Sequence, residues 1–345
     1  MSGVASATRT PVPDPGVSRP ELRVHRVDAF RLESGHVLEG IDQAYTLTGR
    51  ISEARDNLVV VFHSLTGDTR PREWWSGVVG SGRALDTRRV AVLAPNLLGS
   101  CYGTSRPQQG VPVTPRDMAR LVRHLVGHLG VETVRLATGG SLGGMVALEW
   151  AASYPTLTRA VVAFAAPAAH TAHAIGLNHV QRRALELGGP AGLGLARMAA
   201  MTSYRTPGEL SRRFGRERRA DGRFQVQSYL DHQATKLEER FDSIAYRALL
   251  DAMDAHDVGR GGGDAARALR DFRGHLVGVG IEGDLLYPPD DVRAWTEASG
   301  AHYEEIRSLH GHDAFLLEHG QAGDILRRAL DRSDPTRPES RGERT

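Results

Sequence analysis

The sequence predicts an α/β protein built on a mostly parallel sheet with helices on both faces. Three observations predict it. Short, continuous apolar runs recur along the chain and alternate with helical patterns, as strands buried on both faces do. One such run passes through Gly139-Gly140-Ser141-Leu142-Gly143 directly into a helix, a G-x-S-x-G turn. The alternation then stops over residues 168–270, which carry helical patterning, and resumes afterwards.

Taken in order, residues 22–32 and 43–51 alternate in the β manner and fit an opening antiparallel hairpin. Asn57-Leu58-Val59-Val60-Val61-Phe62-His63 is the first fully apolar strand, ending in the loop Ser64-Leu65-Thr66-Gly67-Asp68. Residues 89–94 form the second, followed by Pro95-Asn96 and a long irregular loop over residues 97–107. Thr114-Pro115 reads as an N-cap with proline at the first helical position. That helix reaches residue 129, with Met118, Leu121, Val122, Leu125 and Leu129 on one face and Gly130 closing it. Residues 131–137 enter the turn around Ser141 as a strand, and residues 146–152 leave it as a helix that stops at Tyr154-Pro155. A strand follows at 159–164. After the helical segment come a strand at 275–281, Glu282-Gly283-Asp284, a helix at 289–299 and a strand at 301–307. The loop Leu309-His310-Gly311-His312-Asp313 leads into a last helix over 314–330. The expected organisation is a core of residues 21–167 and 271–332, a helical lid at 168–270, and disordered tails at 1–20 and 333–345.

Composition narrows the function. At 345 residues, 40% hydrophobic and 24% charged, the chain is ordinary for a globular protein. A net charge of +2 gives no nucleic-acid or membrane signal. Cys101 is the only cysteine, so no intrachain disulfide or Cys-based metal cluster is possible, and no metal is expected at the site. Residues 1–20 lack the apolar centre of a signal peptide, and no apolar run approaches the roughly 20 residues of a membrane span. A cytoplasmic protein is expected.

In an open parallel sheet, ligands bind beyond the carboxyl ends of the strands. Ser64, Asn96, Ser141, Asp284 and His312 all follow such ends. A serine hydroxyl needs a base within hydrogen-bond reach, and imidazole has a suitable pKa. A carboxylate must then hold the imidazole in the right tautomer. Ser141, Asp284 and His312 supply that set in the order Ser, Asp, His. Two alternatives stand beside it: Asp284 as a turn residue, and His310 as the base. The oxyanion donors expected are the backbone amides of Leu142 and of Leu65, with Thr66 as a loop-stabilising hydroxyl. Cys101 reads as a packed small residue. The arginines at 212, 213, 216, 218 and 219 read as a solvated face or as contacts for phosphates. The set alone does not distinguish a hydrolase, in which water resolves the acyl-enzyme, from a transferase, in which an alcohol does.

Four stretches resemble the homoserine O-acetyltransferases of the α/β-hydrolase fold, over residues 25–330. They are His63-Ser64-Leu65-Thr66-Gly67-Asp68 with Pro71-Arg72-Glu73-Trp74-Trp75, the loop Asn96 to Thr104, the turn Gly139 to Met145 with Glu149-Trp150-Ala151, and Gly311-His312-Asp313-Ala314-Phe315. The resemblance implies a helical lid, no bound cofactor, and ping-pong transfer from acetyl-CoA through acetyl-Ser141 to the hydroxyl of homoserine or serine. Gly192 to Met198 with Thr202-Ser203-Tyr204 is similar to the family's lid segment, which implies that Arg197, helped by Tyr204, holds the acceptor carboxylate; the resemblance also implies that Asp313 holds its ammonium and that the chain forms a homodimer through the lid. Ser105-Arg106-Pro107 departs from the family's Thr-Gly-Pro, and the segments after Pro107 and between Leu187 and Gly192 are short. Arg106 therefore reads either as a contact for a different acceptor or an acidic acyl group, as in succinyl-CoA, or as a solvated loop residue. A serine esterase on the same three residues is the other reading.

Overall fold

The computed structural model describes residues 20–260 and 263–333. Its centre is an eight-stranded sheet with strand order β1-β2-β4-β3-β5-β6-β7-β8. The strands are β1 (Arg23–Arg31), β2 (Val37–Thr48), β3 (Leu58–Phe62), β4 (Ala91–Pro95), β5 (Val134–Gly140), β6 (Thr158–Phe164), β7 (His275–Ile281) and β8 (His302–Ile306). β1 pairs antiparallel with β2 and β2 antiparallel with β4; every later pairing is parallel.

The apolar runs explain the layering. Along β3, Leu58, Val60 and Phe62 face one hydrophobic cluster, and Val59 and Val61 face the other. The first cluster is closed by α2 (Pro115–His128), α3 (Leu142–Ser153) and α10 (Pro289–Ser299), through Met118, Leu121, Leu125, Met145, Val292 and Trp295. The second is closed by Trp75, just after the short α1 (Pro71–Trp74), and by Phe315, Ile325 and Leu326 from α11 (Ala314–Leu317) and α12 (His319–Arg332). Alternate side chains on opposite faces are what strand geometry dictates, so a run apolar at every position needs cover on both sides.

Between β6 and β7 lie α4 (Ala172–Leu187), α5 (Gly192–Tyr204), α6 (Pro207–Phe214), α7 (Gln225–Glu238), α8 (Ser243–Asp254) and α9 (Ala265–Arg270). The expected tails fall outside the described residues except for Pro20 and Ser333, and Ser333 closes α12 with its N–H on the Ala329 carbonyl (3.0 Å).

Element bounds differ from expectation in several places, four of which have a visible cause. β2 begins at Val37, because a tight turn (Leu32 N–H to the His36 carbonyl, 2.8 Å) lets Arg31 pair with Val37. It ends at Thr48, because Gly49 turns at φ 84° where a Cβ would meet the Thr87 carbonyl at 2.7 Å. β5 runs on to Gly140, since Gly139 and Gly140 pair with Ala163 and Phe164. The last helix breaks at Glu318 (φ −83°, ψ 60°), whose carboxylate accepts from the Ser308 hydroxyl at 2.7 Å. The N-cap of α2 forms as read: the Thr114 hydroxyl accepts from the Asp117 N–H (3.1 Å) and the Asp117 carboxylate accepts from the Thr114 N–H (3.1 Å).

Candidate active site

Ser141 sits between β5 and α3 with φ 58° and ψ −125°, a conformation that L residues rarely adopt. The glycines around it make that turn possible. A Cβ on Gly139 would lie 2.6 Å from the Gly143 carbonyl, and one on Gly144 would lie 2.7 Å from the Ala166 Cβ. A Cβ on Gly143 would press on the Phe62 backbone, 2.9 Å from its carbonyl carbon. Gly143→Ala should therefore destabilise the fold by about 1–3 kcal/mol, the usual range for forced overpacking, read as a lower urea midpoint. An unchanged midpoint would mean that strand and helix do not approach so closely.

His312 lies in the one-turn 3₁₀ segment Gly311–Asp313, just before α11, and is buried with Asp284. Its Nδ1 donates to Asp284 Oδ2 at 2.7 Å. Asp284 Oδ1 accepts from the N–H groups of Leu286 (2.8 Å) and Tyr287 (3.0 Å). Thus the turn role and the pairing with His312 use different oxygens of one carboxylate. His310 is elsewhere: half-exposed, with Nδ1 3.2 Å from Glu209 Oε1. Burial lowers the His312 pKa, but the Asp284 charge and its hydrogen bond outweigh this, helped by Asp313, so the net shift is upward. His312 Nε2 is buried with no hydrogen-bond partner among the described residues. Nε2 is therefore free to engage a hydroxyl, and such bonds commonly close only when substrate arrives.

Ser141 and His312 line one cavity of about 200 Å³, together with Leu65, Arg197, Tyr204 and Asp313. Leu142 begins α3, so its N–H has no intrahelical acceptor. Arg197 is half-buried, with its Nε unpartnered and its guanidinium carbon 5.6 Å from the Tyr204 ring centre. Burial pushes the Tyr204 phenol up to about 12 despite the nearby Arg197, which keeps it a hydrogen-bond donor. Asp313 is already paired on one side: its Oδ2 lies 3.0 Å from Arg205, which also pairs with Glu209 at 3.2 Å.

Arg106 is absent from the cavity lining and pairs instead with Asp242 of the helical segment at 2.7 Å. The basic stretch does not line the cavity either: Arg213 lies over Phe214 and Tyr229, Arg218 over Phe224 (4.0 Å), and Arg223 pairs with Asp231 (2.8 Å). Cys101 is half-buried, and burial pushes its thiol pKa up. Trp74, quoted in the resemblance without a role, lines the cavity, and so does Arg240, which no sequence pattern singled out. Arg240 donates to the Thr66 carbonyl at 2.7 Å and to the Thr66 hydroxyl at 3.3 Å, so both groups tie the loop to the helical segment.

Comparison with known proteins decides the family. The model for the α/β-hydrolase fold matches residues 57–318. A homoserine O-acetyltransferase of Thermus thermophilus is 40% identical over 87% of this chain and 89% of its own. One from Trichormus variabilis is 39% identical over 84% of this chain and 88% of its own. The chain belongs to the homoserine O-acetyltransferase family. A crystal structure of the Staphylococcus aureus homoserine O-acetyltransferase is similar too, at a TM-score of 0.81 and 28% identity, covering 92% of this chain and 98% of that one. Esterase E22 has the same fold, at a TM-score of 0.81 and 16% identity over 90% of this chain and 99% of its own. The homoserine O-acetyltransferase family thus shares its scaffold with esterases, so chemistry must be argued from the cavity.

Proposed function

We propose that this chain is an O-acyltransferase that moves an acetyl group from acetyl-CoA to the side-chain hydroxyl of homoserine, through an acetyl-Ser141 intermediate. The observation that carries the reading is a guanidinium, Arg197, free of any carboxylate partner among the described residues and lining the same cavity as Ser141 and His312. A hydrolase needs only water there. An amino-acid acceptor brings a carboxylate, and a guanidinium fork matches it in bidentate geometry.

In the first half-reaction His312 Nε2 takes the Ser141 proton while Oγ attacks the thioester carbonyl. The Leu65 and Leu142 N–H groups stabilise the oxyanion; the C–S bond then breaks, and the thiolate leaves with the proton from His312. In the second, His312 takes the acceptor hydroxyl proton as that oxygen attacks the acetyl carbon; the ester bond to Ser141 Oγ then breaks, and Oγ takes the proton back from His312. Asp284 holds the imidazole throughout. Arg197 with Tyr204 binds the acceptor carboxylate, and Asp313, engaging Arg205 through Oδ2, offers its other oxygen to the ammonium. Serine, one methylene shorter, is the other acceptor this arrangement fits. An acidic acyl group finds no support from Arg106, which is held by Asp242.

Thiol release from acetyl-CoA that requires homoserine supports transfer, and release without an amino acid replaces this reading with hydrolysis. Arg197→Ala should raise the acceptor KM roughly tenfold to a hundredfold, the worth of a charge-assisted hydrogen bond, and leave acetyl-enzyme formation intact. An unaltered acceptor KM would take Arg197 out of the site. We also propose a cytoplasmic homodimer joined through the helical segment, where Val180, Leu187, Leu195 and Ile244 are exposed. Among the described residues no helix is long and apolar enough to cross a membrane.

A further inference from the structure

His63 closes β3 and is completely buried, yet the chemistry above gives it no task. Its two ring nitrogens have different partners. Nδ1 lies 2.8 Å from the Ser64 carbonyl oxygen, which can only accept, so Nδ1 carries the proton. Nε2 accepts from the Leu97 N–H at 3.0 Å. The ring is therefore neutral and in one tautomer. Burial pushes its pKa below the ordinary imidazole value, in keeping with that neutral state.

The Ser64 carbonyl belongs to the same peptide group as the Leu65 N–H. A trans peptide is planar, with C=O and N–H pointing in opposite directions, so fixing one fixes the other. Two donors hold this carbonyl: His63 Nδ1 and the Gly67 N–H at 2.9 Å. The Ser64 hydroxyl donates to the Gly140 carbonyl at 3.0 Å and ties the loop to the turn that carries Ser141. Gly67 is confined to glycine by the histidine itself, since a Cβ there would lie 2.8 Å from the His63 Cβ. Hydrogen bonds on a carbonyl also polarise its amide partner, which strengthens the N–H as a donor.

From this we infer that His63 is a positioning residue for the oxyanion site: its Nδ1–H, by holding the Ser64 carbonyl, aims and polarises the Leu65 N–H. The Leu97 N–H, by occupying Nε2, sets the tautomer that makes this possible. The inference rests on the acyl-Ser141 reading and on Leu65 as an oxyanion donor.

Two substitutions separate positioning from simple packing. Asparagine places an amide N–H near the position of Nδ1 and keeps the bond to Ser64; glutamine reaches the position of Nε2 and keeps the bond to Leu97. Each deletes one of the two hydrogen bonds, so a structural role predicts similar losses. The experiment is the burst of p-nitrophenol from p-nitrophenyl acetate, which depends on acylation of Ser141 and needs neither coenzyme A nor an acceptor. H63Q should slow the burst by about tenfold or more, part of the effect of losing an oxyanion donor, with little change in ester KM. H63N should stay within a few-fold of the unsubstituted protein. Equal slowing in both, or an effect on KM alone, would overturn the inference. Absence of a burst in the unsubstituted protein would instead remove the acyl-Ser141 reading and this inference with it. If both variants fail to fold, nitrogen NMR of the unsubstituted protein with labelled histidine decides: one ring protonated at Nδ1 alone at every pH the fold survives supports the role. Protonation of His63 at Nε2 overturns it.

Discussion

Replacing Ser141 by alanine is expected to abolish the acetyl-enzyme mass shift and to lower kcat roughly a millionfold, the scale seen when a catalytic serine is deleted. The variant should fold normally. Its side chain makes no cap hydrogen bond, and the turn is held by backbone contacts: Ser141 N–H to the Phe164 carbonyl at 3.0 Å and Met145 N–H to the Ser141 carbonyl at 3.0 Å. Alanine meets the same positive φ that serine already tolerates, so strain is not added. The result that would sink the assignment is an acetyl adduct of undiminished yield. Its candidates would be poor ones. The Ser64 hydroxyl is committed to the Gly140 carbonyl, and the Cys101 thiol is held protonated by burial. Intact mass spectrometry after mixing with acetyl-CoA reads the outcome, and near-unchanged thermal unfolding excludes loss of fold.

How much of this was legible in the chain depends on what kind of interaction fixed each part. Periodicity placed seven of the eight strands within a few residues, because a run such as Leu58 to Phe62 has no other way to bury both faces. β5 was read three residues early, at 131–137 in place of Val134–Gly140, since glycine carries no hydrophobic signal and only pairing with β3 and β6 holds Gly139 and Gly140 in the ladder. The break at Glu318 depends on Ser308, and the early start of β2 on its pairing with β1. Both are tertiary matters. The meeting of Ser141 and His312 at one cavity, with Asp284 behind the imidazole, was legible because positions beyond strand ends carry meaning in an open sheet. Arg240, Arg205 and the partner of Arg106 were not, because arginine is abundant here and its reach lets it pair almost anywhere on the surface. His63 was quoted in a motif without a role. Its two hydrogen bonds run to backbone groups, one from a loop following a different strand, and no spacing rule encodes them.

Asp284→Asn carries the second largest expected effect, a fall in kcat of about 10⁴-fold, as when an acid of this type is neutralised in place. The surroundings make the loss unavoidable. Oδ1 faces two backbone donors, the N–H groups of Leu286 and Tyr287, so an asparagine must leave its carbonyl oxygen there. Its NH₂ then faces His312 Nδ1, which can only accept, and the ring proton moves to Nε2. That is the atom required to take a proton from Ser141, so the base is lost although every heavy atom stays in place. The pH profile supplies a second reading. His312 works unprotonated, and its pKa stands above the ordinary 6.5, so the acid limb of acylation should lie above that value in the unsubstituted protein. The substitution removes the Asp284 attraction, burial then prevails, and the limb should move to lower pH. The stability linkage has the matching sign. A raised histidine pKa stabilises the fold while the ring is protonated, fully below the unfolded pKa, and that contribution fades as pH rises through the folded one. With burial prevailing in the variant, the folded pKa falls below the unfolded one, so the histidine's contribution changes sign and stability should rise with pH through that range. Rates of acetyl-enzyme formation across pH, with urea midpoints at the same pH values, test both. A variant with near-native kcat and an unmoved acid limb would mean that the carboxylate at 284 serves the turn and not the imidazole.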